Sequence, residues 1–351
     1  MPTAYLNHII TAVPDFDVHD KFVSYGPSLL PDAQSRKLFG RMAQRAQIDH
    51  RYSFLQPHAD SERLDTENFY ARDNFPDTHS RMKFYERHAF SLARRALDRI
   101  DLGGVTHLIV TTCTGFYAPG LDLQIVNHYG LPPSVERTVI GFMGCYAALN
   151  ALKLARHIVR SEPSARVAVL NLELCTLHLK QIGTLEEMLS FLIFADGCSA
   201  SIVSAAPEGL ELEGFGSMLM PDSGDQITWQ IGGLGFDMTL SGRVPSTIAT
   251  GLPSRLDAML AGRKREDIAH WAVHPGGRTV LDAVRDGAGL LDSQLAMSRD
   301  VLRRFGNMSS ATIMFVLDEI MKNPGRGGPG CAMAFGPGLT VESMRFMAQA
   351  A

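Results

Sequence analysis

Short apolar runs alternate with segments of helical period along most of this chain. THLIVTTCT (106–114), RTVIGFM (137–143), ARVAVLNLELC (165–175) and SASIVSAA (199–206) read as strands, and Arg81 to Asp98, Leu121 to His128 and Cys145 to Arg160 read as amphipathic helices. The second part runs in a similar order, with ELEGFGSML, DIAHWAVH, a helix from Arg278 to Ala288, a helix from Ser310 to Lys322, and GCAMAFG. This alternation predicts an α/β protein of two similar halves with mixed sheets, residues 1–206 and 207–351. NPGRGGPG, 323–330, reads as a flexible surface loop, and no low-complexity segment interrupts the pattern.

Within it, GFMGCYAALNALKLARHIV places a cysteine at a corner. Thr138 to Met143 reads as a buried strand, Gly144 permits a tight turn, and Leu149, Leu152, Leu154 and Ile158 give a helical stripe. Cys145 then lies in the first turn, where unpaired N–H groups and the helix dipole favour a thiolate. Free cysteines are also commonly buried as small hydrophobes, so this motif alone leaves both readings open. HWAVHPGGRTVLDAV carries His274 at a strand end, and RRFGNMSSATIMFVLDEI carries Asn307 before a helix. Taken singly, these read as a satisfied core histidine and a helix cap. Three strand-to-helix corners, each with a catalytic residue type, point to one site.

Those segments resemble the type III polyketide synthases of the thiolase superfamily, whose plant members include the chalcone and stilbene synthases. GFMGCYAALNALKLA carries the position of the family's nucleophilic cysteine, AVHPGGRTVLD its histidine, GNMSSATIMFVLDE its asparagine and FGPGLTVE its C-terminal glycine-rich loop. LIFADGCSA matches the segment of the active-site phenylalanine, which falls on Phe194. The motifs span nearly the whole chain in the family's order. The resemblance implies a pseudo-duplicated thiolase-like fold in five αβαβα layers, a homodimer, and malonyl-CoA with an acyl-CoA starter as substrates. It implies no metal and no cofactor.

Composition agrees with this. The chain has 351 residues, 45% hydrophobic and 20% charged, and a formal charge of −4, which gives no sign of nucleic-acid binding. No apolar run approaches a membrane span and the N-terminus lacks a basic segment before a long apolar one, so a cytoplasmic location is expected. Cys113, Cys145, Cys175, Cys198 and Cys331 are odd in number and without a C-x-x-C pair, which suggests reduced thiols and neither a zinc site nor a disulfide framework.

The chemistry that follows is decarboxylative condensation. A Cys145 thiolate, held by His274 as an ion pair, accepts the starter acyl group. His274 and Asn307 donate hydrogen bonds to the thioester oxygen as malonyl-CoA loses carbon dioxide, each donor being worth roughly 3 kcal/mol in the transition state. The resemblance places Phe194 beside the departing carboxylate, where an apolar ring favours neutral carbon dioxide; without it, core packing is the simpler reading. It also places Arg41 and Arg45, one helical turn apart, at two CoA-binding positions, and Ser309 near the CoA arm. A third family lysine aligns with Leu38, next to Lys37. An ordinary exposed basic face is the alternative.

Several cavity positions depart from the plant pattern. A family phenylalanine aligns with Met238, a glycine-type position with Trp229, three threonines with Cys113, Cys175 and His178, and a methionine that crosses the dimer interface with Ala118. Trp229 would fill the pocket used by aromatic starters, while flexible Met238 and small Ala118 leave room. Cys175 is similar to bacterial members, which often take fatty acyl-CoA starters or malonyl-CoA alone. An aliphatic starter with alkylresorcinol or alkylpyrone products is expected, against simple repacking of a wall. Initiating ketoacyl synthases show HQAN where this chain has HPGG. Thiolases need a second reactive cysteine near the C-terminal loop, and Cys331 lies close to it without the C-x-G arrangement. A non-catalytic CoA-binding partner would need none of Cys145, His274 and Asn307.

Overall fold

The computed structural model describes residues 2–181 and 184–350. Its strands are β1 Tyr5–Ala12, β2 Phe16–Asp17, β3 Tyr52–Ser53, β4 His107–Thr112, β5 Glu136–Gly141, β6 Val167–Leu174, β7 Asp196–Ser204, β8 Leu210–Leu219, β9 Ile227–Gly232, β10 Gly235–Leu240, β11 His270–Val273, β12 Gly328–Gly336 and β13 Thr340–Ala348. Nine of them form a continuous sheet in the order β11-β12-β13-β8-β1-β7-β6-β4-β5. Its seam is short, because β1 meets β8 through only Tyr5↔Glu211 and Leu6↔Leu210. On both sides of the seam pairing is antiparallel near the join and parallel at the outer edge. The two halves thus repeat one mixed pattern, as the alternation of elements predicts.

Strand periodicity builds the layers. Leu108 and Val110 of β4 join one core cluster while Ile109 between them joins another, and Ala332 and Met333 of β12 part in the same way. The inner cluster holds the helices Ala147–Ser161 and Thr312–Lys322 between the two sheet halves. The first fits there because Ala148, Ala151 and Ala155 keep one face small. In the second, Ile313 to Leu317 are all buried, the mark of a helix covered on every side. Each large side chain so buried contributes roughly 1.5–3 kcal/mol. Thr78–Leu97 covers the outer face of the first half, and Pro253–Leu260 with Arg278–Ala288 covers that of the second. The result is a five-layered αβαβα fold.

Four details differ from the sequence reading. β5 is the edge strand of the sheet, and Glu136 to Val139 are exposed rather than buried; Val139 has 47% of its surface free. Single-turn 3₁₀ segments, Gly144–Tyr146 and Ser309–Ala311, precede the helices expected at Cys145 and Ser310. β12 already begins at Gly328, within the expected loop. Asn307 follows a helix, Ala296–Phe305, so its corner joins two helical segments. Among the described residues no helix is long and apolar enough to cross a membrane.

Candidate active site

Cys145 stands where the chain leaves β5 for the inner helix. Phe142 and Gly144 have φ of 55° and 69°, and the ring of Pro337 occupies the space a side chain at Gly144 would need, with Cδ 2.4 Å from an ideal Cβ. The Gly144 N–H donates to Cys113 Sγ at 3.1 Å, and the half-buried Cys145 thiol donates to Ser309 Oγ at 3.8 Å. Burial pushes the thiol up to about 12, Ser309 and Asn307 oppose this by hydrogen bonding, and the negative charge of Glu173 adds to it. Desolvation thus opposes the thiolate that the helix start favours.

His274 follows β11 and is 1% exposed, its N–H bonded to Met333 O at 2.8 Å. Neither ring nitrogen has a hydrogen-bond partner among the described residues. Burial lowers the imidazole to about 3, so it is neutral. Burial thus works against the charged form of both partners of the expected Cys145–His274 ion pair.

Asn307 is placed by its backbone. Its N–H donates to Ile193 O at 2.8 Å and its carbonyl accepts from Ala195 N at 3.0 Å, a bridge that locks it beside Phe194. The side-chain oxygen accepts the Ser309 N–H at 2.8 Å, and Nδ2 donates to Gly276 O at 3.2 Å, next to His274. Asn307 thus caps the following turn with its oxygen and keeps its N–H groups on the His274 side.

These residues open on one pocket. Cys113, Cys145, Cys175, His178, Phe194, Trp229, Met238, His274, Asn307 and Ser309 all line it. The cavity volume is about 90 Å³, small beside the roughly 300–1,000 Å³ of pockets for drug-sized ligands. Part of the wall is aromatic. His178 donates from Nε2 to Thr114 O at 2.7 Å and accepts the Phe236 N–H on Nδ1 at 2.9 Å, which sets its tautomer. Its ring stacks on Phe236 at 4.2 Å, and Trp229, edge-on to it, donates its indole N–H to Cys113 O at 2.8 Å. Met238 faces Trp229 across the β9–β10 hairpin.

The remaining candidates lie elsewhere. Ala118 is exposed and does not line the pocket. Lys37, Arg41 and Arg45 are exposed on the helix Ala33–Ala46 at successive intervals of four, and form no ion pair among the described residues. This helix sets Phe39 against Phe191, ring centroids 6.2 Å apart, and Phe191 belongs to the pocket-lining helix Leu185–Ile193. Cys331 is wholly buried in β12 away from the pocket, with its thiol pushed up to about 12, so it is no second nucleophile.

Sequence reasoning missed Glu173. It is fully buried, accepts from Cys113 N at 2.9 Å, Thr114 Oγ1 at 2.8 Å and Ser310 Oγ at 2.6 Å, and burial raises its carboxyl to about 7. A lone acid in the apolar run VAVLNLEL was the available signal, since a charge buried there needs partners. Phe236 was missed too, lacking any motif.

Comparison with known proteins bears on all of this. Residues 11–207 match the model for the N-terminal domain of the chalcone and stilbene synthases, and residues 211–349 match that for the C-terminal domain. The "Alpha-pyrone synthesis polyketide synthase-like Pks18" of Mycobacterium tuberculosis is 32% identical over 336 residues, covering 91% of this chain and 84% of that protein. Bisdemethoxycurcumin synthase of Oryza sativa subsp. japonica is 35% identical over 261 residues, covering 68% and 65%. Among solved structures, PKS-I from the brown alga Ectocarpus siliculosus superposes with a TM-score of 0.89 at 27% identity, covering 99% of both chains. The type III polyketide synthase domain of Steely1 from Dictyostelium shares the fold, with a TM-score of 0.90 at 23% identity and 99% coverage of each.

Proposed function

Since the chain belongs to the chalcone and stilbene synthase family and is a type III polyketide synthase, we propose that it extends an aliphatic acyl starter carried on Cys145. Enzymes of this family act on coenzyme A thioesters without a cofactor. The observation that carries the site assignment is the convergence of a cysteine, an unpartnered buried histidine and an oriented asparagine on one apolar pocket. As acyl-CoA arrives, neutral His274 takes the Cys145 proton, the thiolate attacks the thioester carbonyl, and the CoA thiolate leaves with that proton. Malonyl-CoA then loses carbon dioxide. The electrons of the broken C–C bond pass to the thioester oxygen, where Asn307 Nδ2 and the His274 N–H receive the enolate charge. Phe194 excludes water from the departing carboxylate. The enolate carbon attacks the Cys145 thioester, the C–S bond breaks to free the Cys145 thiolate, and the chain, longer by two carbons, is left on coenzyme A.

Lys37, Arg41, Arg45 and Ser309 hold the CoA phosphates and arm, which suits the unpaired cations on the helix that packs against the pocket-lining helix Leu185–Ile193. Trp229, His178, Cys113, Cys175 and Met238 set the starter. The hydrogen-bonded Trp229 limits chain length, and Met238 is the wall able to yield, which favours short alkyl chains and pyrone or resorcinol products. The "alpha-pyrone" in the name of the Mycobacterium relative agrees with lactone closure. A second reading, use of malonyl-CoA alone, draws on the small cavity volume of about 90 Å³.

Residues 1–206 then form the half that carries the nucleophilic Cys145, and 207–351 the half that carries His274 and Asn307. A cytoplasmic homodimer completes the reading. Phe116 and Val139, 37% and 47% exposed on and beside the β5 edge, are the apolar surface for a second copy, with Ala118 in the same loop. The test is a mass-spectrometric product profile with labelled malonyl-CoA and starters from acetyl to palmitoyl, an aromatic ester and a malonyl-only control. Alkylpyrones or alkylresorcinols from short aliphatic esters support the first reading, and product from malonyl-CoA alone supports the second. Product only from the aromatic ester refutes both.

A further inference from the structure

Arg51 does not line the pocket, yet it touches the segments that carry Phe194 and Asn307. Its side chain is wholly buried and forms no ion pair among the described residues. Nη1 donates to Phe191 O at 2.6 Å and Phe194 O at 3.2 Å, and Nε donates to His19 Nδ1 at 3.0 Å. The first two acceptors are carbonyls at the C-terminal end of the helix Leu185–Ile193, the negative end of its dipole. The guanidinium also lies 5.1 Å from the Phe22 ring centroid.

Its stem touches the second segment. An ideal Cβ at Gly306 would stand 2.8 Å from Arg51 Cγ and 2.9 Å from Ile193 O, and Gly306 has φ of +69°. Only a glycine lets the stem pass between the helix end and the backbone that leads into Asn307. Residues 193–195 and Asn307 are then bridged by the two backbone hydrogen bonds described above. One buried cation thus braces both strands of that bridge. An apolar side chain would fill the space at less desolvation cost, so the guanidinium is there for what Nε and Nη1 hold, Nη2 having no partner among the described residues.

We propose that Arg51 is a positioning residue for malonyl decarboxylation, holding Phe194 and Asn307 in register through the helix-end carbonyls and the Gly306 backbone. This rests on the assignment of decarboxylation to Phe194 and Asn307. Burial brings the guanidinium down to about 9, so it stays cationic at neutral pH. Lysine at this place keeps the charge and loses the fork, and cannot reach His19 and both carbonyls together.

Two steps are measured separately. Carbon dioxide release from malonyl-CoA is followed in a Cys145→Ala background, where loading is impossible, and acylation of Cys145 by a starter CoA is followed by intact mass in the otherwise native enzyme. Arg51→Lys lowers kcat for carbon dioxide release about tenfold or more, with KM for malonyl-CoA and the acylation rate within about twofold. Gly306→Ala, which displaces the stem from the other side, gives the same split, and His19→Ala a weaker one. These two carry the test should Arg51→Lys fail to fold. Equal losses in both steps, or no loss in either, overturn the proposal. Asn307→Ala is run alongside. If it releases carbon dioxide normally, the site assignment itself fails. If it is inactive while Arg51→Lys, Gly306→Ala and His19→Ala are normal, only the role of Arg51 fails.

Discussion

Two buried histidines line this pocket, and they are built in opposite ways. His178 and His274 are each lowered to about 3 by burial, so both are neutral and their titration does not tell them apart. Their hydrogen bonds do. Both ring nitrogens of His178 are engaged, by Thr114 O and by Phe236 N, while neither nitrogen of His274 has a partner among the described residues. A buried imidazole left unpaired carries a desolvation cost that nothing in the fold offsets, and a reacting substrate can offset it. The same contrast extends to the two walls. On the Cys145 wall, backbone bonds and positive-φ glycines do the holding and leave side-chain groups for chemistry. On the Trp229 wall, the polar atoms of His178 and Trp229 are used up on the backbone groups Thr114 O, Phe236 N and Cys113 O, and their ring faces are what meets the substrate.

The contrast breaks most sharply if the histidines exchange roles. His274→Ala and Asn307→Ala should each lower carbon dioxide release from malonyl-CoA by about 10²–10³-fold. His178→Ala should leave that rate within a few-fold and alter which products form. A decarboxylation assay with product analysis on the three variants decides between the walls. The next effect is on substrate binding: Arg41→Ala with Arg45→Ala should raise KM for malonyl-CoA about tenfold with kcat little changed, since the lost phosphate contacts are made equally in ground and transition states. Trp229→Ala should shift the longest accepted starter upward in the product profile at near-native carbon dioxide release. A smaller effect concerns Glu173. Its folded-state value, about 7 against the usual 4.5, is raised, so its contribution to stability is full below 4.5 and is lost as pH rises through 7. Glu173→Gln, which cannot ionise, should therefore gain in Tm relative to the native enzyme between pH 5 and pH 8, and a Tm difference that is flat with pH would contradict the buried carboxylate.

The two walls also differ in how far the sequence foretold them. The Cys145 corner was legible because its cause is local: a glycine, then a stripe of helical period within fifteen residues. The layered halves were legible from the same alternation. β5 misled because apolar residues on an edge strand look like those of a core strand until its neighbours are known. Asn307 was found by motif, but its setting was not, since the helix before it carries three arginines and ends without a strand. Arg51 and Glu173 left only the mark of isolated charge, because their partners lie 32 to 143 and 59 to 137 residues away. Trp229 and His178 were recognised as cavity positions by resemblance alone; the hydrogen bonds that fix them arise only when the β9–β10 hairpin folds over the turn Cys175–His178.

The central claim is that loading and decarboxylation are separable functions of one pocket, with Cys145 needed for the first and His274 with Asn307 for the second. The direct measurement is the fate of labelled malonyl-CoA incubated with Cys145→Ala enzyme and a starter ester. Labelled carbon dioxide with acetyl-CoA and no polyketide is the predicted result. Polyketide formed without the thiol, or carbon dioxide release as low as that of Asn307→Ala, would contradict it.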